Sequence, residues 1–277
     1  MRTLKPLIVI LLICACTSAK KLPQEQYYAF KYYFVQEQRN DSVLFYLKNP
    51  IKCPINIQLA KDNLNSDLHS YFGQINLQAM QDTIIRINYP KFNLSSKSKY
   101  IVRYGDANQK IKKNVIAFPF PQGKTYKVMQ GYNGKFSHNT LYSKYAIDFN
   151  LQVGDTIASA DKGYVVGVIE DYKEYDTSKA WRDNDKSNYI TLYHPHSGLF
   201  TQYVHLNYKG ALVELGDFIE TGQPIGISGM TGFTTKPHLH FNVKYPTSEH
   251  GLISTEITFE NDLSGNDLKK GDFVKNL

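Results

Sequence analysis

The chain has 277 residues, of which 42% are hydrophobic and 21% are charged, so it is too apolar to be mainly disordered. Its three cysteines exclude a disulfide-stapled miniprotein and a cysteine-rich zinc module. The formal net charge of +7 favours an anionic partner, such as a nucleic acid, a membrane surface or a cell-wall polymer, without selecting one of them.

The first segment predicts an export signal. Arg2 and Lys5 precede an apolar run over residues 7–15, which is shorter than the roughly 20 residues that a transmembrane helix needs. The run ends in Ala15-Cys16, which resembles the bacterial lipobox, where cleavage precedes a cysteine that then carries lipid. We therefore expect residues 1–15 to be a lipoprotein signal peptide and Cys16 to be lipidated. Ordinary cleavage after Ala19 is the alternative.

Residues 27–118, after a linker at 16–26, predict a β-sandwich domain of unknown role. Apolar residues alternate with polar ones, as at Ile55, Ile57 and Leu59, which is typical of antiparallel strands. About a hundred residues of this pattern fit a small sandwich, of which the immunoglobulin fold is one form. No catalytic constellation stands out in this region, so we expect a spacer or an interaction module.

A second β-rich domain is predicted over residues 119–277. Glycine becomes frequent here, and seven of the eight histidines lie in this part of the chain. No long amphipathic helix is evident in either region. The sequence therefore predicts an all-β fold, with the sandwich followed by a domain built on an antiparallel sheet.

The strongest local signal is His238-Leu239-His240, in a segment whose alternation predicts a strand. Both histidines then project from one face, with Cβ atoms about 6–7 Å apart, and can reach one metal site. A pair of solvated histidines on an exposed sheet is the alternative. His205, among apolar neighbours, also fits an ordinary core histidine. Asp148, between Ile147 and Phe149, is a carboxylate in an apolar strand and requires a partner, either a metal or a salt bridge.

Taken in order, these residues resemble the lysostaphin-type zinc endopeptidases of bacterial cell walls, the M23 peptidase family. The family has a His and an Asp close together, a later His in a tyrosine-containing strand, and then the HxH motif. Here the positions are His138 and Asp148, then His205 in Tyr203-Val204-His205-Leu206, then His238 and His240. The resemblance covers residues 131–243.

The resemblance implies that His138, Asp148 and His240 hold a zinc ion (Zn2+), whose bound water hydrolyses peptide cross-links in peptidoglycan. It also implies that His205 and His238 line the site, one as the general base and the other stabilising the oxyanion or protonating the leaving amine. Which histidine plays which part stays open. The expected partners are peptidoglycan peptides and, through the lipid anchor, a membrane; the expected location is the periplasm or cell envelope.

One departure from the family pattern concerns spacing. Nine residues separate His138 from Asp148, where the family's common form has three, so we expect a longer loop to return His138 to the site. We interpret His194 and His196 as surface residues near the site and not as ligands.

Three other functions compete with this one. A catalytically silent relative that binds cell wall or activates another hydrolase is the main alternative. A carrier protein with biotinyl-like hairpins fits the repeated Gly-Asp turns, but no Met-Lys-Met motif is present. A nucleic-acid binder fits the positive charge, but the basic residues are scattered and no recognition motif is present, so we expect no nucleic-acid partner.

Overall fold

The structure is a computed structural model that describes residues 21–60, 67–92, 98–112 and 115–277. These ranges are nearly all β, which confirms the predicted fold class. Cys16 and the signal at 1–15 lie outside the described residues, so lipidation and export stay predictions. Within the described ranges, no helix combines the length and the apolar character needed to cross a bilayer.

The N-terminal region forms two three-stranded antiparallel sheets. Its elements are β1 (Val35–Arg39), β2 (Ser42–Lys48), β3 (Ile55–Leu59), α1 (Leu68–Phe72), β4 (Gln74–Leu77), β5 (Asp82–Asn88) and β6 (Tyr100–Tyr104). The strand orders are β1-β2-β5 and β4-β3-β6. Phe45 of one sheet and Ile57 of the other belong to the same buried cluster. The immunoglobulin-like form of this region stays a prediction.

The remaining chain consists of short strands joined by tight turns. They are β7 (Val115–Ile116), β8 (Thr125–Gln130), β9 (Ile147–Phe149), β10 (Thr156–Ala158), β11 (Gly163–Ile169), β12 (Tyr175–Asp176), α2 (Lys179–Asn184), β13 (Tyr189–His194), β14 (Leu199–Val204), β15 (Leu206–Ala211), β16 (Phe218–Ile219), β17 (Pro224–Ser228), β18 (Gly232–Phe233), β19 (Leu239–Thr247), β20 (Gly251–Ser254), β21 (Thr258–Phe259), β22 (Leu263–Ser264) and β23 (Phe273–Lys275). A 3-10 turn covers Glu260–Asp262.

A nine-stranded antiparallel sheet organises this part of the chain. Its order is β16-β11-β13-β14-β19-β9-β8-β23, and β20 pairs with the second half of β19. Residues directly opposite each other on paired strands share a face. Tyr203 and Phe241 are such a pair, and their face packs on the main hydrophobic core. We call the opposite face, which carries Val204, His240 and Asp148 side by side, the groove face.

The N-terminal region packs against the far end of the groove face. Phe200, at the start of β14, lies in the same buried cluster as Phe45. The Tyr104 hydroxyl donates to the Val166 carbonyl oxygen at 3.1 Å, and the Tyr104 and Phe200 rings are 5.9 Å apart. The two regions therefore share a core, which fixes the N-terminal region beside the groove.

The predicted domain limits, 27–118 and 119–277, stay a prediction. β7 pairs with β21, and Ile116 belongs to the core of the large sheet. The Phe118 ring stacks on Phe259 at 4.4 Å. From Val115 onward, the described chain is thus built into the C-terminal region.

Candidate metal centre

Strand pairing brings two of the three predicted ligands together. Asp148 in β9 and His240 in β19 are direct partners across the antiparallel pair, so their side chains lie next to each other on the groove face. His240 Nδ1 is 2.9 Å from Asp148 Oδ1. The register between β9 and β19 therefore places two of the three predicted ligands side by side.

A loop places the third predicted ligand. The Asn133 N–H donates to the Lys144 carbonyl oxygen at 2.8 Å, which closes the loop that carries His138. His138 Nδ1 donates to the Gly131 carbonyl oxygen at 2.9 Å, and Nε2 lies 3.1 Å from Asp148 Oδ1. The nine-residue spacing is therefore compatible with a return of His138 to the site, as expected from the sequence.

The three side chains converge on one point. One ligand atom each from His138, Asp148 and His240 lies within 4.8 Å of the other two. His138 is fully buried and Asp148 is 5% exposed. Because the Nδ1–H of a neutral His138 is used by Gly131, its Nε2 presents a lone pair to this point. Two nitrogens and one oxygen thus face a common centre.

Neighbouring charges and hydrogen bonds favour the deprotonated form of Asp148, and burial favours that of His240. Burial raises the pKa of Asp148, but the charges of His138 and His238 and the hydrogen bonds from His138 and His240 hold it well below its usual range. Burial lowers the pKa of His240 to about 4, against the attraction of Asp148. Burial also lowers the pKa of His138, but Asp148 outweighs burial and leaves it raised. A cation would therefore displace a proton chiefly from His138.

His205 reaches the site because the backbone turns at the end of β14. Strict alternation after Val204 would place His205 on the core face. Its φ of 69° is uncommon for a residue other than glycine, and it ends the strand so that His205 lines the groove. His205 Nδ1 donates to the Thr231 carbonyl oxygen at 2.7 Å. Burial, and then the charges of His238 and His240, hold the pKa of His205 well below its usual range.

His238 completes the group of histidines. It immediately precedes β19, and its Nε2 lies 3.7 Å from Asp148 Oδ1. Its Nδ1 donates to the Lys236 carbonyl oxygen at 2.9 Å. The rings of His205 and His238 are 4.6 Å apart, so both predicted catalytic histidines flank the predicted ligands.

Gln130 is a functional candidate that sequence reasoning missed. It ends β8 and is paired with Asp148, and its Nε2 donates to Asp148 Oδ2 at 3.1 Å and to Ser137 Oγ at 2.8 Å. It therefore holds the carboxylate oxygen that faces away from the histidines. Nothing in the local sequence marks Gln130, because its role follows from the pairing of β8 with β9.

His194 corrects a prediction made from the sequence. We expected His194 and His196 to be surface residues near the site, but His194 is 1% exposed and ends β13, at the opposite end from Tyr189, which lines the groove. The reason is that His194 has polar partners inside the protein: its Nδ1 donates to the Lys162 carbonyl oxygen, and its Nε2 meets the Thr201 hydroxyl. His196 is exposed, as the sequence predicted.

A groove with a volume of about 1370 Å³ contains the site. Its floor includes Gln202, Val204 and His240 of the large sheet. Phe136 and Phe233 also line the groove, and their rings stack at 5.1 Å.

Residues 142–251 match the model of a family described as peptidase family M23. This range covers less than half of the chain. The matched range includes Asp148, His205, His238 and His240. It begins shortly after His138, whose place in the site rests on the contacts described above.

Three curated relatives extend the comparison. An uncharacterized metalloprotease of Buchnera aphidicola is 32% identical over 131 residues, which are 46% of this chain and 31% of that protein. Lysostaphin of Staphylococcus staphylolyticus is 33% identical over 98 residues, 35% of this chain and 18% of lysostaphin. The peptidoglycan DD-endopeptidase ShyB of Vibrio cholerae is 27% identical over 151 residues, 53% of this chain and 32% of ShyB. The chain thus spans about a third or less of the length of these relatives.

Proposed function

We propose that this protein is a zinc-dependent endopeptidase that hydrolyses peptide cross-links of bacterial peptidoglycan. The observation that carries the proposal is the convergence of His138, Asp148 and His240 in a groove with a volume of about 1370 Å³. The M23 match supports a peptidase, and the name of one relative, a peptidoglycan DD-endopeptidase, supports the substrate class.

The donor set fits zinc. Two imidazole nitrogens and one carboxylate oxygen, with a fourth position open, form a ligand set typical of catalytic zinc. His138 Nε2 and His240 Nδ1 lie 3.1 Å apart, so their lone pairs repel unless a proton or a cation lies between them. Magnesium and calcium prefer sites made entirely of oxygen ligands and fit this site poorly.

His205 is positioned to accept a proton. Zinc, when bound, supplies Lewis-acid chemistry that polarises the scissile carbonyl and makes water more acidic. The Thr231 carbonyl holds His205 in the tautomer with its proton on Nδ1, and the lowered pKa keeps the ring neutral near pH 7. Its Nε2 can therefore take the proton of the attacking water.

His238 takes the complementary part. The Lys236 carbonyl fixes its Nδ1 proton, and its Nε2 faces the ligand carboxylate of Asp148. From this position, His238 would stabilise the oxyanion or pass a proton to the leaving amine. This proposal makes His205 the general base, a choice that the sequence alone left open.

We also propose that the enzyme is exported and anchored through lipid on Cys16, so that it faces the cell envelope. The apolar run before Cys16 and the positive net charge support this location. Incorporation of a labelled fatty acid in cells producing the natural chain, and its loss in Cys16→Ser, would support lipidation. Equal labelling of both chains would overturn it.

Mass spectrometry of purified peptidoglycan, digested with the zinc-loaded protein, tests the proposed activity. We expect new fragments that differ from the undigested material by hydrolysis of one peptide bond. His205→Ala should bind zinc and release none of these fragments. If the zinc-loaded natural chain releases none either, the protein is instead a silent relative that binds the wall.

A further inference from the structure

Lys244 is a basic side chain on the groove floor that the mechanism does not use. It follows His240 by four positions in β19, and strand alternation places both on the groove face. At about 3.3 Å per residue, their Cα atoms are roughly 13 Å apart. Lys244 lines the same groove as the candidate metal centre.

We propose that Lys244 binds a free carboxylate of the peptide substrate, at a position four residues along β19 from the predicted ligand His240. The inference rests on the proposed function, because it concerns which peptides that site accepts. It selects cross-linked stem peptides with free carboxyl groups over neutral or amidated ones. Lys244 is thus a residue that determines specificity.

The surroundings leave the ammonium group of Lys244 available. The side chain is half-buried, and no described residue forms a hydrogen bond or an ion pair with it. Burial lowers the pKa of Lys244 to about 8, against the attraction of Asp185. A poorly hydrated cation without an ion-pair partner binds a carboxylate more strongly than an exposed lysine does.

The charge of the groove supports an anionic ligand. Three acidic side chains line it: Asp148 belongs to the candidate metal centre, Asp183 pairs with Arg182 at 3.3 Å, and Asp185 faces Lys244. The basic side chains that line it are Lys127, Lys135, Arg182, Lys236, Lys244 and Lys270. The excess of positive charge raises the local concentration of anionic peptides, and Lys244, on the floor, is placed to select one carboxylate among them.

Cleavage of a matched set of stem-peptide dimers, in which each free carboxyl group is amidated in turn, tests the proposal. For the full zinc-loaded chain, amidation of one particular carboxyl group should lower kcat/KM about 10- to 100-fold, mainly through KM. Lys244→Met should remove this preference, and Lys244→Arg should retain most of it. Lys275→Met, an exposed control on β23 that removes the same charge, should behave as the natural chain does.

The outcomes separate this inference from the proposed function. Equal cleavage of all the dimers by the natural chain, or a preference that survives in Lys244→Met, would overturn the role of Lys244 and leave the peptidase intact. Failure to cleave any dimer would overturn the proposed function itself. If Lys244→Met does not melt cooperatively, Lys244→Gln provides the same comparison with a polar side chain of similar length.

Discussion

Two groups of histidine and aspartate side chains lie on the same large sheet, and they differ in what their nitrogen atoms do. In the first group, His138 and His240 direct one ring nitrogen each toward Asp148. In the second, near the far end of β13, His194 donates from Nδ1 to the Lys162 carbonyl oxygen at 2.8 Å and accepts at Nε2 from Thr201 at 2.9 Å. Asp161 lies 3.1 Å from His196.

The difference shows that residue type and burial do not by themselves make a metal site. Among the described residues, only the first group brings three ligand atoms within 4.8 Å of one another. His194 is as buried as His138, but its ring is already hydrogen-bonded at both nitrogens. We therefore expect the first group to govern activity and the second to govern stability.

Replacement of a ligand should have the largest effect. In His240→Ala, we expect zinc content to fall from about one ion per chain to background, because two ligands hold zinc weakly. Peptidoglycan cleavage should fall below detection with it. Metal analysis after gel filtration, followed by the digestion assay, measures both. Full zinc content in this variant would remove His240 from the ligand set.

Loss of the proton acceptor should separate metal binding from catalysis. His205→Ala should keep about one zinc ion per chain and lose about 10²- to 10⁴-fold in kcat, the usual contribution of a general base. The metal should stay because His205 is not one of the three side chains whose ligand atoms converge. Loss of zinc from His205→Ala would instead make His205 a ligand.

Removal of the amide that orients Asp148 should have an intermediate effect. Gln130→Ala removes the hydrogen bond to Asp148 Oδ2, and outer partners of this kind affect metal affinity or activity by about 10- to 100-fold. Competition with a chelator gives the zinc affinity. Gln130→Glu keeps the size of the side chain and tests the effect of a negative charge beside Asp148. If Gln130→Ala has the zinc affinity and the cleavage rate of the natural chain, Gln130 does not support the candidate metal centre.

The second group should affect stability alone. His194→Ala leaves the Lys162 carbonyl and the buried Thr201 hydroxyl without this partner, at a cost of about 1–3 kcal/mol of unfolding free energy. Thermal melting should show a lower Tm, with zinc content and kcat/KM unchanged. His196→Ala, at a side chain that is 37% exposed, is the matched control and should shift Tm less. A loss of zinc in His194→Ala would contradict the contrast between the two groups.

The same group predicts the direction of a pH effect. Burial lowers the pKa of His194, against the hydrogen bond to the Lys162 carbonyl and the charge of Asp161. The unfolded chain therefore binds a proton at His194 more readily than the folded chain does. Stability should therefore be fully present above about pH 6.5 and fall as the pH drops below it. Denaturant titrations at several pH values measure this slope, which should be shallower in His194→Ala. Equal slopes would exclude His194 as the source.

The sequence was sufficient for the all-β fold, because alternation is a local signal. The ordered His and Asp pattern also named residues that the fold brings together, and their roles stay predictions. It was insufficient where the strand register determines which side chains meet. The pairing of β8 with β9 places Gln130 beside Asp148, and no local signal reports that pairing. The hydrogen bonds that bury His194 likewise come from residues distant in sequence, Lys162 among them.

The groove residue Lys244 was missed for a related reason. Its alternation with His240 is visible in the sequence, but a lysine on a strand is usually solvated. The groove around it comes from α2 and from the loop that carries His138, which the sequence does not place near β19. Packing between distant segments, and not propensity, makes Lys244 a specificity candidate.

Anomalous diffraction at the zinc absorption edge, from crystals of the full chain grown with zinc, tests the central claim most directly. We predict one strong peak per chain, bounded by His138, Asp148 and His240, with ligand distances of about 2.0–2.2 Å. A peak at Asp161 and His196 instead, or the absence of any peak among the three predicted ligands, would contradict the account.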